Sequence, residues 1–489
     1  MNTKYIDLIN QTYDFPQQEF TVKGSSLEFH GIDLMKLVET YGAPLKFTYL
    51  PKISQNIIRA KEWFANAIEK NNYKGNYTYC YCTKSSHFKH VLTEALKNDI
   101  HIETSSAFDI DIIENLKSEG RITNDTFVLC NGFKRAQYIS NITRLINGGH
   151  YNCIPIIDNY EEIGLLSEKI EGKYKVGIRI ASEEEPKFEF YTSRLGIGYK
   201  NIVRFYKNQI ETDDNVELKM LHFFINTGIR DNSYYWNELV KCLQVYTDLK
   251  KICPSLDSLN IGGGFPIKNS LAFDYDYQYM IDEIIQQIKI TCEEANVPVP
   301  NIFTEFGSFT VGESGGAIYE VLYQKQQNDR EKWNMINSSF ITTLPDTWAI
   351  NKRFIMMSVN RWNDEYERVL LGGLTCDSDD YYNSEQHMAA IYLPKFKKEK
   401  PLYIGFFNTG AYQESIGGFS GLQHCLIPSP KHILIDKNSE GAFTTQMFSE
   451  QQTSEHMLHI LGYTENPKKE TQKADENLIL TIIFFNNDH

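Results

Sequence analysis

The sequence predicts an α/β chain, a closed (β/α)8 TIM barrel followed by a second, mainly β C-terminal domain of sandwich-like or barrel-like form. Three observations predict it. Eight short apolar or β-branched runs alternate with helical periodicity between residues 77 and 304. That alternation builds a parallel sheet, and eight is the count of a closed barrel. Lysine, glutamate and glycine residues stand at the C-terminal ends of these runs, where barrels of this type carry their active sites. After about residue 311 the long helical stretches stop and strand-like runs follow one another. An open doubly wound sheet is the competing architecture, but the runs form one uninterrupted series.

Taken in order, residues 1–45 hold a strand-like piece and the helix Ile32–Tyr41, and are expected to pack on the β domain. Residues 46–310 form the barrel, with runs at Tyr77–Thr83, Ile100–Thr104, Thr126–Cys130, Cys153–Asp158, Lys175–Ala181, Leu218–Ile225, Ser258–Ile261 and Asn301–Thr304. Between the first two, Phe88, Val91, Leu92, Ala95 and Leu96 recur at helical spacing, with Ser85 or Ser86 as N-cap. Ser233–Ile252 and Tyr277–Glu294 read as long helices. Residues 311–463 form the β domain, with runs at Gly316–Tyr323, Arg368–Thr375, Leu402–Asn408 and His432–Ile435. Residues 464–489 are charged and then abruptly apolar, a disordered tail or an added strand.

Bulk properties narrow the function. A net charge of −14 argues against a broad nucleic-acid or anionic-membrane surface. No apolar run is long enough to span a bilayer, and the first residues lack a basic-then-apolar secretory pattern. The 9 cysteines are scattered, without a Cys-x-x-Cys pair, which fits free thiols in a reducing cytosol. A cytoplasmic chain is expected.

The chemistry-bearing positions follow from the barrel. Lys84 closes the first run, an odd place for an ammonium group unless it is paired or used. The useful reading is a Schiff-base lysine for an aldehyde cofactor. Glu103 and Ser105 end the second run, Asn131 and Gly132 follow the third, and Arg179 lies on the fifth. Thr227 follows the sixth run. Gly262-Gly263-Gly264 follows the seventh, a backbone nest suited to phosphate or simply a tight turn. Glu305 ends the eighth. A buried carboxylate there suits either a pyridine nitrogen or an ion pair with Arg179.

Several stretches then converge on one family. They are Lys84 with its run, Glu103-Thr104-Ser105-Ser106-Ala107, Val128–Lys134, Ser193-Arg194-Leu195-Gly196, Leu221-His222-Phe223 and Gly262–Gly264. Further on come Leu344-Pro345-Asp346-Thr347-Trp348, Thr375-Cys376-Asp377-Ser378-Asp379 and Gly410-Ala411-Tyr412-Gln413. Over roughly residues 30–435 the chain resembles the PLP-dependent decarboxylases with an alanine-racemase-like barrel, nearest the biosynthetic arginine decarboxylases.

The resemblance implies a carboxy-lyase converting L-arginine to agmatine and CO2, the first step of polyamine biosynthesis. It implies pyridoxal 5'-phosphate as cofactor, with Mg2+ as a further candidate. Lys84 would link the cofactor. Glu103, Arg179 and Phe224 would line it, and Glu305 would meet its pyridine nitrogen. Gly262, Gly263, Gly264, Tyr412 and Thr227 would hold the phosphate. Cys376 would be the catalytic acid, Asp377 would bind the cationic end of the substrate, and Asp346 is a further candidate for the guanidinium. The resemblance also implies a homodimer as the minimum unit, with a higher oligomer as an alternative, in which Cys376 and Asp377 reach the partner's active site.

The chain departs from the family pattern near the cofactor. Phe224 stands where the family has a ring-stacking histidine, Asn226 replaces a glycine, and Ser308 replaces an arginine that meets the phosphate. Decarboxylation of ornithine, lysine, diaminopimelate or a carboxypolyamine is the alternative within the family. A PLP-binding or regulatory protein without turnover is the alternative outside it.

Overall fold

The computed structural model describes residues 15, 17–183, 192–329, 331–382 and 391–464. These form two compact units. One comprises the described residues within 53–266 and 275–310, the other those within 15–52, 267–274 and 311–464.

The first unit is the expected barrel. Its strands are β1 (Tyr77–Cys82), β2 (His101–Thr104), β3 (Val128–Cys130), β4 (Cys153–Ile157), β5 (Tyr174–Ala181), β6 (Val216–His222), β7 (Ser258–Asn260) and β8 (Asn301–Phe306). Each pairs in parallel with the next, and β8 pairs in parallel with β1, which closes the sheet. Helices occupy the connections, the longest being Ser233–Lys250 and Tyr277–Glu294. The first of them starts later than the sequence suggests, at Lys89, with Phe88 at the N-cap position. Ser85 is not its cap. Its hydroxyl instead donates to Cys82 O at 2.8 Å, within the single turn Thr83–Ser85 that carries Lys84. Serine commonly prefers such a local backbone bond.

Inside the barrel, Cys80, Leu129, Ile154, Ile156, Met220 and Phe303 form one buried cluster. Strand side chains alternate between faces. The positions two residues further on, Asn131, His222 and Glu305, therefore follow Leu129, Met220 and Phe303 on the interior face. The apolar layer is thus a floor, and the polar residues above it lie at the C-terminal ends of the strands.

The second unit is mainly β. Its long strand Gly315–Gln326 pairs antiparallel with Leu45–Tyr49, Lys332–Ile336 and Tyr403–Phe407. Leu45–Tyr49 also pairs in parallel with Lys431–Lys437, which pairs antiparallel with Phe443–Ser449. Phe20, Phe29, Leu34, Leu37 and Phe47 pack with Ile318, Trp362, Phe407 and Ile433 in a shared core. Leu45–Tyr49 therefore falls outside the barrel unit, although the sequence places residue 46 onward within it. All five residues of this strand are buried, so no alternation marks it as a sheet interior. Residues 267–274 leave the barrel unit in the same way. Of the predicted tail 464–489, residues 465–489 lie outside the described residues.

Candidate active site

Lys84 sits in the turn directly after β1, its side chain 43% exposed. Its Nζ lies 3.2 Å from Glu103 Oε1 and 3.3 Å from Oε2. Glu103 is fully buried on β2, beside Cys82 of β1 in register. Burial pushes its carboxyl above the ordinary range. Lys84 opposes the shift and Glu305 adds to it.

Glu305, on β8, is also buried. Its Oε1 accepts from Asn131 Nδ2 at 2.9 Å and from Asn260 Nδ2 at 2.6 Å, and its Oε2 lies 3.3 Å from His222 Nε2. Burial alone would raise its carboxyl, but His222, Lys84 and Asn131 together hold it at about 2. Asn131 is the hub. Its Nδ2 donates to Glu103 Oε1 as well, also at 2.9 Å. The two amide hydrogens thus serve two carboxylates.

Arg179 and Phe224 stand side by side. The guanidinium carbon is 5.9 Å from the phenyl centroid, within cation–π range. Burial lowers the Arg179 pKa, against the pull of Asp158, Glu305 and Glu103. His222 pairs in register with Arg179 on one side and Asn260 on the other.

The glycine run after β7 is held where side chains would collide. A Cβ on Gly263 would lie 2.0 Å from Glu305 O, and one on Gly264 would lie 2.7 Å from Gly228 Cα. Ile229 N donates to Gly264 O at 3.0 Å, which seats the loop carrying Thr227 against the glycines. Thr227 Oγ1 is buried without a hydrogen-bond partner, as is Asn131 Oδ1. A buried hydroxyl without a partner is costly unless a ligand supplies one.

The remaining predicted residues belong to the β unit. Cys376 and Asp377 lie on an exposed loop anchored by buried Asp380, which accepts from Phe340 N at 2.8 Å, Thr375 N at 3.0 Å and Thr375 Oγ1 at 2.7 Å. Cys376 Sγ is 3.5 Å from Cys425 Sγ, and Asp377 Oδ2 is 3.5 Å from His424 Nε2. The neighbouring Cys425 thiol pushes the Cys376 pKa up. Asp346 is buried and engaged by Lys352 Nζ at 3.1 Å and Gln413 Nε2 at 2.7 Å. Tyr412 is half-buried with φ of 69°.

The structure therefore brings Lys84, Glu103 and Glu305 into one network, and sets Phe224 against Arg179. Sequence reasoning assigned no role to Asn131, Asn260 or His222 in that network. The signal was present as a period of two from the apolar floor. Among the described residues, no cluster of three or more His, Cys, Asp or Glu is arranged to hold a metal ion. No helix among them is long and apolar enough to cross a membrane.

Comparison with known proteins bears on the fold and the family. The chain is 21% identical to the biosynthetic arginine decarboxylase of Prochlorococcus marinus subsp. pastoris, over 92% of this chain and 89% of that protein. It is 22% identical to the biosynthetic arginine decarboxylase of Geobacter sp. strain M21, over 80% and 81% respectively. Its fold matches the biosynthetic arginine decarboxylase SpeA of Campylobacter jejuni with a TM-score of 0.77 at 18% identity, covering 94% of this chain and 91% of that one. It matches diaminopimelate decarboxylase from M. jannaschi with a TM-score of 0.75 at 18% identity, covering 90% and 97%. Residues 54–312 match the family described as "Pyridoxal-dependent decarboxylase, pyridoxal binding domain". The chain belongs to the pyridoxal-dependent decarboxylases, and its barrel is their cofactor-binding domain.

Proposed function

We propose that this chain decarboxylates L-arginine to agmatine and CO2 as a homodimer with pyridoxal 5'-phosphate. The residues present fit the cofactor. Thr227 Oγ1 is a buried hydroxyl lacking a partner beside a glycine loop whose backbone leaves no room for side chains. That pairing of free donor and bare backbone suits a phosphate. In this reading Gly262, Gly263, Gly264, Thr227 and Tyr412 hold the phosphate, Lys84 provides the covalent link, and Phe224 and Arg179 flank the ring.

Bound there, the cofactor supplies an electron sink for the bond to the departing carboxylate. The chain supplies orientation and charge. Glu305, held ionised by His222 and its two asparagine donors, keeps a proton on the pyridine nitrogen. Glu103 pairs with Lys84 Nζ and positions it. Cys376 Sγ delivers the proton to the substrate's α-carbon, and Asp377 binds the distal cation.

The observation that carries arginine is the acidic loop. Asp377 and Asp379 flank Ser378 in an exposed turn next to Cys376; Asp379 N donates to Asp377 Oδ1 at 2.9 Å, and the one ion-pair partner of Asp377 among the described residues is His424, at 3.5 Å. A distal guanidinium is suited to such a turn, whereas a distal carboxylate would need a cation. The dimer accounts for the loop's exposure, since Leu374 and Leu426 beside the two cysteines are also exposed.

The test is to purify the protein with added cofactor, record its visible absorbance, add L-arginine, and quantify CO2 and agmatine. A cofactor band with matched CO2 and agmatine supports the reading. Turnover of ornithine, lysine or diaminopimelate in place of arginine would move the substrate and keep the chemistry. A coloured protein inert to all of them would leave a binding protein without turnover.

A further inference from the structure

Two motifs from the sequence, Leu344-Pro345-Asp346-Thr347-Trp348 and Gly410-Ala411-Tyr412-Gln413, meet in the β unit. Asp346 lies in the first turn of the helix Pro345–Ala349, and Gln413 opens the helix Gln413–Gly417. The two side chains close a ring. Gln413 Nε2 donates to Asp346 Oδ2 at 2.7 Å, and Asp346 N donates to Gln413 Oε1 at 3.2 Å. Gln413 Nε2 also donates to Ala411 O at 3.0 Å. The amide of Gln413 is thus used fully, and both residues are at least nine-tenths buried, with exposures of 5% for Asp346 and 2% for Gln413. Lys352 Nζ, at 3.1 Å, neutralises the Asp346 carboxylate.

Between Ala411 and Gln413 stands Tyr412, at the N-cap of the short helix with φ 69° and ψ −27°. An aromatic residue in this left-handed region persists only where its surroundings over-determine it. Here they do. The residue before it and the residue after it are tied by one amide, which is tied in turn to Asp346. Ile416 N and Ser415 Oγ bind the Tyr412 carbonyl at 3.0 and 3.1 Å.

We infer that Asp346 is a positioning residue for Tyr412, acting through Gln413, and does not bind the substrate's guanidinium. The carboxylate that resemblance offers to the substrate is already satisfied by a buried amide and an ammonium group. Its removal frees Gln413 and releases the constraint that holds the Tyr412 backbone at φ 69°. This inference rests on the reading that Tyr412 meets the cofactor phosphate.

The experiment titrates the apo enzyme with pyridoxal 5'-phosphate and, separately, with pyridoxal, which lacks the phosphate. The variants are Tyr412→Phe, Asp346→Ala, Gln413→Leu and the double variant Asp346→Ala/Tyr412→Phe. Tyr412→Phe, Asp346→Ala and Gln413→Leu should each weaken pyridoxal phosphate about tenfold and leave pyridoxal unchanged. The double variant should be no weaker than Tyr412→Phe, and the KM for L-arginine should not move. Asp346→Asn, which keeps a carbonyl oxygen for Gln413, should restore most of the affinity and replaces Asp346→Ala if the latter does not fold. A raised KM for L-arginine with unchanged cofactor affinity would overturn the inference and make Asp346 a substrate ligand. Equal weakening of both cofactor forms would also overturn it, because a general structural role moves both. A Tyr412→Phe variant with wild-type affinity would instead defeat the phosphate reading on which the inference rests.

Discussion

Glu103 and Glu305 end two different barrel strands and share the amide of Asn131, each at 2.9 Å from the same nitrogen. Two buried carboxylates so close repel when both are ionised. The structure separates them by their other partners. Glu305 has His222 and Asn260, and Glu103 has Lys84. One carboxyl is thereby held at about 2 and the other is pushed up by burial.

The first prediction concerns Glu305. Glu305→Gln keeps the shape and removes the charge that would hold a proton on the pyridine nitrogen. The kcat/KM for the preferred substrate should fall by about 10²–10³, the loss expected when a preorganised electrostatic partner is removed. Cofactor retention after dialysis should change much less, because the phosphate contacts are intact. Wild-type kcat/KM in this variant would show that Glu305 does not set the charge on the ring.

The two carboxylates should also pull stability in opposite directions with pH. Glu305 lies below its ordinary value of 4.5, so its contribution is complete above about 4.5 and is lost as the pH falls toward about 2. Glu103 lies above its ordinary value of 4.5, so its contribution is complete below that value and is lost as the pH rises through its folded pKa. For the apo protein, Tm of Glu305→Gln should lie below wild type at neutral pH, by a few kcal/mol in stability, with the gap closing in acid. Tm of Glu103→Gln should match wild type in acid and exceed it at neutral pH. Parallel curves for the two variants would contradict this division of charge.

How far the sequence foretold this site depends on the kind of contact. Lys84, Glu305 and the three glycines were legible because each stands at the end of an apolar run, and a barrel places every such end on one face. Asn131 was marked only as a strand-end residue and His222 only as part of a matching stretch, and Asn260 was not singled out. Their role comes from barrel closure, which sets β3, β6 and β7 around the carboxylate of β8. The pairing of Asp346 with Gln413 spans 67 residues and joins two short helices that no periodicity announces. The meeting of Cys376 with Cys425 spans 49 residues and joins two exposed loops. Local pattern reports where a residue stands on its own element, and these contacts depend on which elements become neighbours.

Phe224 stands where the resemblance implies a ring-stacking histidine, and it lies against Arg179. A phenyl face can stack on a planar ring and can meet a guanidinium, but it cannot hydrogen-bond or titrate. Phe224→His should retain the cofactor within a few-fold of wild type, whereas Phe224→Ala should weaken it by about tenfold. Loss of the cofactor from Phe224→His, measured by absorbance after gel filtration, would mean that the pocket requires the phenyl ring itself.

The last prediction concerns which subunit supplies Cys376. Lys84→Ala removes the linking lysine, and Cys376→Ala removes the proposed acid; each variant alone should be nearly inactive. If every site combines Lys84 of one subunit with Cys376 of its partner, mixing the two variants creates sites in which both residues are intact. Random reassociation makes half of the dimers mixed, and one of the two sites in each mixed dimer is complete. An equal mixture, dissociated and reassembled, should therefore recover about a quarter of the wild-type rate. If Cys376 acts within its own subunit, every site in the mixed dimer lacks one residue and nothing is recovered. Two different affinity tags, one on each variant, and sequential purification isolate the mixed dimers, and only mixed dimers without activity place lysine and cysteine in one subunit.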